Sequence, residues 1–138
     1  AHLRGTGIEV MANSDNVVRG GLTKKHVDVT ELIKVVDFSP SEPEITRPEA
    51  AAPGVERYAT PCPEFDVWRL APAAGSAPVE VPGAGSARIL LVVSGTATLT
   101  GPEGALEVAR GGSAFVAAAE TVSLSGETVV FMAASGLR

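Results

Sequence analysis

The sequence predicts a mainly β protein, a jelly-roll-like β-sandwich preceded by a short N-terminal strand–loop–helix segment. Three observations carry this reading. From Val55 onward, short apolar runs are broken by Gly or Pro about every eight to twelve residues, the rhythm of a sandwich or barrel. The chain is 45% hydrophobic but only 4% aromatic, so its core has to be built from Ala, Val and Leu. Residues 28–38, "DVTELIKVVDF", form the one segment with apolar residues at helical spacing.

Taken in order, "GIEVMA" (7–12) reads as a strand in progress. The chain is already entering it at Ala1, which reads as a piece of a longer polypeptide cut inside a folded region. "SDNVVRGGLT" (14–23) is a polar bend. In 28–38, Asp28 can cap the helix and Glu31, three residues on, completes a capping-box pattern. Val29, Leu32, Ile33 and Val36 supply its apolar face, and Pro40 ends it near Asp37. Residues 39–54, "SPSEPEITRPEAAAPG", hold four prolines and form a connector of extended character. Strands follow at "ERYATP", "FDVWRLA", "ARILLVVSG", "TATLTG", "GALEVARG", "GSAFVAAAE", "TVSLSG" and "TVVFMAAS". "VVSGTATLTG" (92–101) reads as a hairpin turning at Gly95. "APAAGSAPVEVPGAGSA" (71–87) reads as loop around one edge strand. The organisation expected is therefore 1–38, 39–54 and 55–138.

Sixteen acidic residues against eleven Lys and Arg give a net charge of −5, without the basic stripe that nucleic acid requires. The positive charge is unevenly placed. All three lysines, Lys24, Lys25 and Lys34, fall within the first 36 residues. A small anionic ligand near that segment would suit this, and so would a plain solvated face. Apolar runs such as "ILLVV" are far shorter than the ~20 residues of a membrane span. The single cysteine, Cys62, rules out an internal disulfide and agrees with a cytoplasmic setting.

The run "SDNVVRGGLTKKHVDVTELIKVVDF" (14–38) resembles the type I phosphomannose isomerases, zinc-dependent enzymes that interconvert mannose 6-phosphate and fructose 6-phosphate. The match rests on Ser14, Asp15, Asn16, Val17, Arg19, Gly21, Leu22, Thr23, Lys25, Val27 and Asp28; Gly20 stands where the family usually has Ala. The resemblance implies a strand, a loop, a short helix and then a C-terminal cupin. It also implies proton transfer between C1 and C2 through an enediol(ate), with a sugar phosphate as the partner. The family's zinc is held by a Gln, two His and a Glu. Aligned on the family, Ala1 falls on its Ala and His2 on its Tyr, so the ligand His falls one position before Ala1. Zinc is thus expected in the full-length parent, and this piece is expected to hold no metal and to be inactive alone.

By the same resemblance Arg19 is the catalytic residue, its permanently charged fork of donors suiting an oxyanion or phosphate. Lys25, Glu9 and Asp15 are the substrate-binding candidates, with Lys24 a weaker one. For Asp15 and Asn16 a loop-closing role stands beside the catalytic one. Glu9 can equally be an outward strand residue. His26 reads as a surface residue. No histidine follows it, so the cupin-like β domain is expected to be metal-free. Glu64, Asp66, Trp68 and Arg69 read as strand and rim residues. Cys62 lies between two prolines with no base beside it and is not read as a nucleophile. The alternatives are a stand-alone metal-free cupin that binds sugars or regulates a partner, and a structural module.

Overall fold

The computed structural model describes residues 4–11, 17–42 and 44–136. Contacts group the chain into two units: residues up to Val10 together with Thr46 onward, and Met11–Ile45.

The first unit is an antiparallel β-sandwich. Its strands are β1 (Glu49–Ala52), β2 (Val55–Tyr58), β3 (Phe65–Leu70), β4 (Val79–Glu80), β5 (Arg88–Gly101), β6 (Gly104–Ala109), β7 (Ser113–Val116), β8 (Ser123–Ser125) and β9 (Thr128–Ser135). One sheet runs β1-β2-β3-β9-β5-β7 and the other β4-β8-β5-β6. The curled, mainly β architecture expected from the punctuated apolar runs is present. Period-two alternation builds the core: along β9, Thr128, Val130, Met132 and Ala134 are buried and their neighbours less so. Val130, Met132 and Ala134 share one core cluster with Leu70, Leu90, Val92, Leu99 and Leu124 between the sheets. β1 arises inside the stretch read as a connector and extends one sheet edge.

Gly95 is a correction to the expected hairpin. β5 does not turn there; it runs on for 14 residues and passes from one sheet to the other. Its first half pairs with β9 and β7, its second with β6 and β8. The register slips between Val92 and Ser94, a bulge that bends the strand. Gly95 sits at φ 71°, and a Cβ on it would run into the carbonyl of Glu127. The true hairpin lies at Gly101–Gly104, with Pro102 and Glu103 at its tip. Gly95→Ala is therefore expected to destabilise the chain by about 2–4 kcal/mol, from a strained left-handed backbone plus a collision. Denaturant unfolding checks this, and an unchanged midpoint would mean that β5 tolerates a side chain at its bend.

"GIEVMA" is a second correction. Among the described residues Gly7–Met11 form no ladder, and alternation without a hydrogen-bonded partner does not make a strand. Instead Thr6 and Ile8 line a groove of about 400 Å³ with Tyr58, Val67 and Phe131 on the outer face of the first sheet.

The second unit carries helix α1 (Val29–Val35). Asp28 caps it as expected, its Oδ1 accepting from the Glu31 N–H at 2.9 Å. The Glu31 carboxylate pairs with Lys34 Nζ at 3.0 Å, one turn along. Past the helix, Asp37 Oδ1 accepts from the Ser39 N–H at 2.8 Å and closes the chain into the approach to Pro40. That bond holds the Asp37 carboxyl below the usual carboxylate range.

Candidate functional site

The candidate residues divide between the two units. Arg19 and Lys25 lie in the Met11–Ile45 unit and Glu9 in the other, while Asp15 lies outside the described residues. Arg19 is half-buried on the polar turn. Gly20 follows it, and Gly21 then adopts φ 74°, the left-handed geometry that lets the chain reverse without a clashing Cβ. Leu22, Lys24, Lys25 and His26 are exposed. The Lys25 N–H donates to Thr23 Oγ1 at 3.2 Å, which shapes the bend that presents both lysines.

Behind the turn lies α1. A Cβ built on Gly20 would stand 3.3 Å from Leu32 Cδ2, so the backbone after Arg19 leaves little room for a side chain on the Leu32 side. The segment thus offers a half-buried guanidinium, two exposed ammonium groups and an exposed imidazole within eight positions. Such a set can receive an anion or a developing oxyanion. Glu9 is exposed and directly follows the groove-lining Ile8.

In the β-sandwich, Asp66, Trp68 and Arg69 lie on β3, and Glu64 is exposed just before it. Asp66 Oδ1 takes Arg57 Nε at 3.2 Å, and the same guanidinium lies 5.6 Å from the centre of the Trp68 ring. Arg69 Nη1 pairs with Glu56 at 2.7 Å. A cleft of about 680 Å³ opens beside Trp68, walled by Pro53, Val55, Pro72, Pro78 and Val79, with Glu80 contributing a carboxylate. None of Glu9, Arg19 and Lys25 lines it.

Arg88 was not among the candidates. It begins β5, is fully buried, and reaches the carbonyls of Val81, Pro82, Ala117 and Glu120. A signal for it was present: in "RILLV" it shares parity with Leu90 and Val92, both core residues.

Among the described residues, no three of His, Cys, Asp and Glu come together in a way that could hold a metal ion. The described side chains therefore do not fit a zinc site, and His2 lies outside them. Among the described residues no helix is long and apolar enough to cross a membrane.

No family model matches the chain. Over 132 residues it is 39% identical to mannose-6-phosphate isomerase from Bos taurus, covering 90% of this chain and 31% of the bovine protein. It is 35% identical over 130 residues to mannose-6-phosphate isomerase 2 from Arabidopsis thaliana, covering 94% of this chain and 29% of that protein. A crystal structure of a phosphomannose isomerase mutant from Salmonella typhimurium superposes with a TM-score of 0.79 at 33% identity, covering 91% of this chain and 33% of the other. The resemblance read on residues 14–38 thus extends, in sequence and in fold, over nine tenths of the chain. The chain spans about a third of the length of the relatives that it matches.

Proposed function

We propose that this chain is the C-terminal portion of a mannose-6-phosphate isomerase. The parent enzyme interconverts mannose 6-phosphate and fructose 6-phosphate through an enediol(ate) in the cytoplasm. The observation that supports this most is the 39% identity sustained over 90% of the chain. In this reading Arg19 stabilises the negative charge that develops on the C1 and C2 oxygens during proton transfer. Lys25 holds the phosphate, and Glu9 and Asp15 contact the sugar. The β-sandwich, as a cupin-like domain, takes no part in the chemistry. The test is a coupled assay on the full-length parent and on residues 1–138 alone. Isomerisation of mannose 6-phosphate by the parent and none by the piece is the expected outcome; a parent without that activity would sink the reading.

Zinc belongs, in this reading, to parts of the parent outside this chain. The isolated chain should keep well below one zinc per molecule after dialysis, since no described group of side chains supplies a ligand set. Elemental analysis showing about one tightly held zinc per chain would mean that the alignment around His2 is wrong. The alternative of a metal-free, sugar-binding cupin has the cleft beside Trp68 in its favour. Titration of the isolated chain with neutral sugars distinguishes the two, because the isomerase reading expects no saturable heat.

A further inference from the structure

We propose that α1 acts as the brace that positions Arg19, with Leu32 and Gly20 as its contact; the proposal rests on the catalytic reading of Arg19 given above. The helix is too short to stand by itself, with seven residues. It buries nothing fully, and Val29, Ile33 and Val35 are all more than half exposed. Leu32 is the exception, the one residue of α1 that is partly buried. It is also the residue whose side chain borders Gly20: a Cβ added there would stand 3.3 Å from Leu32 Cδ2, inside the ~3.5–4.0 Å of ordinary carbon contacts.

One peptide bond joins that contact to Arg19. Anything that lifts Gly20 from the helix moves the Arg19 backbone with it, because the bonds between them are rigid. The far side of the turn is set by Gly21 at φ 74°, and the helix is anchored by the Asp28 cap. Arginine is long and rich in rotamers, so the accuracy of its guanidinium depends on how firmly its Cα is held. Leu32 and Gly20 are therefore positioning residues: they touch no substrate and act through Arg19. A small residue is required at position 20 because a β-branched one would strike the Leu32 methyl group and lift the turn.

The experiment is steady-state kinetics with mannose 6-phosphate on the full-length parent carrying Gly20→Val, Leu32→Ala or both, each with and without Arg19→Ala, beside thermal melts. Gly20→Val and Leu32→Ala should each lower kcat, Gly20→Val by about 10–100-fold, the scale of an ångström-sized misplacement, with a smaller change in KM. The pair should recover about tenfold over Gly20→Val, since the shortened side chain makes room for the added one. In the Arg19→Ala background Gly20→Val should cost less than about twofold further. Unchanged kcat in both single variants, or losses that multiply in full with that of Arg19→Ala, would overturn the brace. Wild-type turnover in Arg19→Ala alone would overturn the reading of Arg19, and the brace with it. That result comes from a single variant, so the two failures are distinct. Should Gly20→Val not fold, Leu32→Ala carries the test, because Leu32 is only partly buried.

Discussion

Replacing Arg19 with alanine in the full-length parent is expected to lower turnover by about 10²–10³-fold, the scale for removing one preorganised donor from a developing oxyanion. KM should change less, because the contact strengthens as enediolate charge builds rather than when the sugar phosphate first binds. Arg19 lies on a half-buried polar turn between Val18 and Gly20, not among the residues packed between the sheets. Truncation at such a surface should leave the melting temperature within a few degrees. Arg19→Lys should recover little, since a single ammonium cannot reproduce a two-pronged donor. Kinetics, melts and metal content measured on one preparation decide the matter. Wild-type turnover would remove Arg19 from the mechanism, and a lowered melting point with unchanged activity per folded molecule would make it structural.

The second large effect should come from Arg88. Its Nη2 donates to the Ala117 carbonyl at 2.9 Å and to that of Glu120; its Nη1 reaches Val81 and Pro82 at 3.4 and 3.5 Å. Glu120 in turn accepts the Ala117 N–H through Oε2 at 2.8 Å. One side chain thus ties the start of β5 to two loops that contribute no other core side chain of its size. Burial pulls the guanidinium pKa down and the Glu120 carboxylate partly restores it. Arg88→Ala removes donors from buried carbonyls and opens a cavity where a large side chain was. Relief from burying a charge works in the opposite direction, but four carbonyls and a nearby carboxylate already offset much of that cost. The net loss expected is about 3–4 kcal/mol, or on the order of 10 °C in melting temperature for a chain of this size. Arg88→Met, which refills the volume without the donors, should recover only the packing part. A melting temperature unchanged in both variants would show that water satisfies those carbonyls as well as the arginine does.

Much of the architecture follows from local chemistry alone. Val130, Met132 and Ala134 alternate with less buried neighbours, and Asp28 precedes an apolar helical stripe with Pro40 close behind; each pattern fixes its element without reference to anything distant. Arg19 and Lys25 stand out because they lie in one uninterrupted run that resembles the phosphomannose isomerases; charge by itself suits a solvated face as well. What needed the tertiary structure was every feature whose cause sits elsewhere in the chain. Gly95 looks like a turn because glycine usually is one; it instead lies in a continuous strand just past a bulge, where Glu127 and Thr128 at the entry to β9 approach too closely for a side chain. "GIEVMA" has the alternation of a strand, but a strand also needs a partner, and alternation cannot supply one. Arg88 looks like a surface charge until the 117–120 segment, about thirty residues away, brings carbonyls to it. Gly20 is an unremarkable loop glycine until Leu32 crowds the space where its side chain would be. Periodicity and capping are properties of neighbours along the chain, whereas close approach and the satisfaction of buried polar groups are properties of neighbours in space, which the sequence does not list in order.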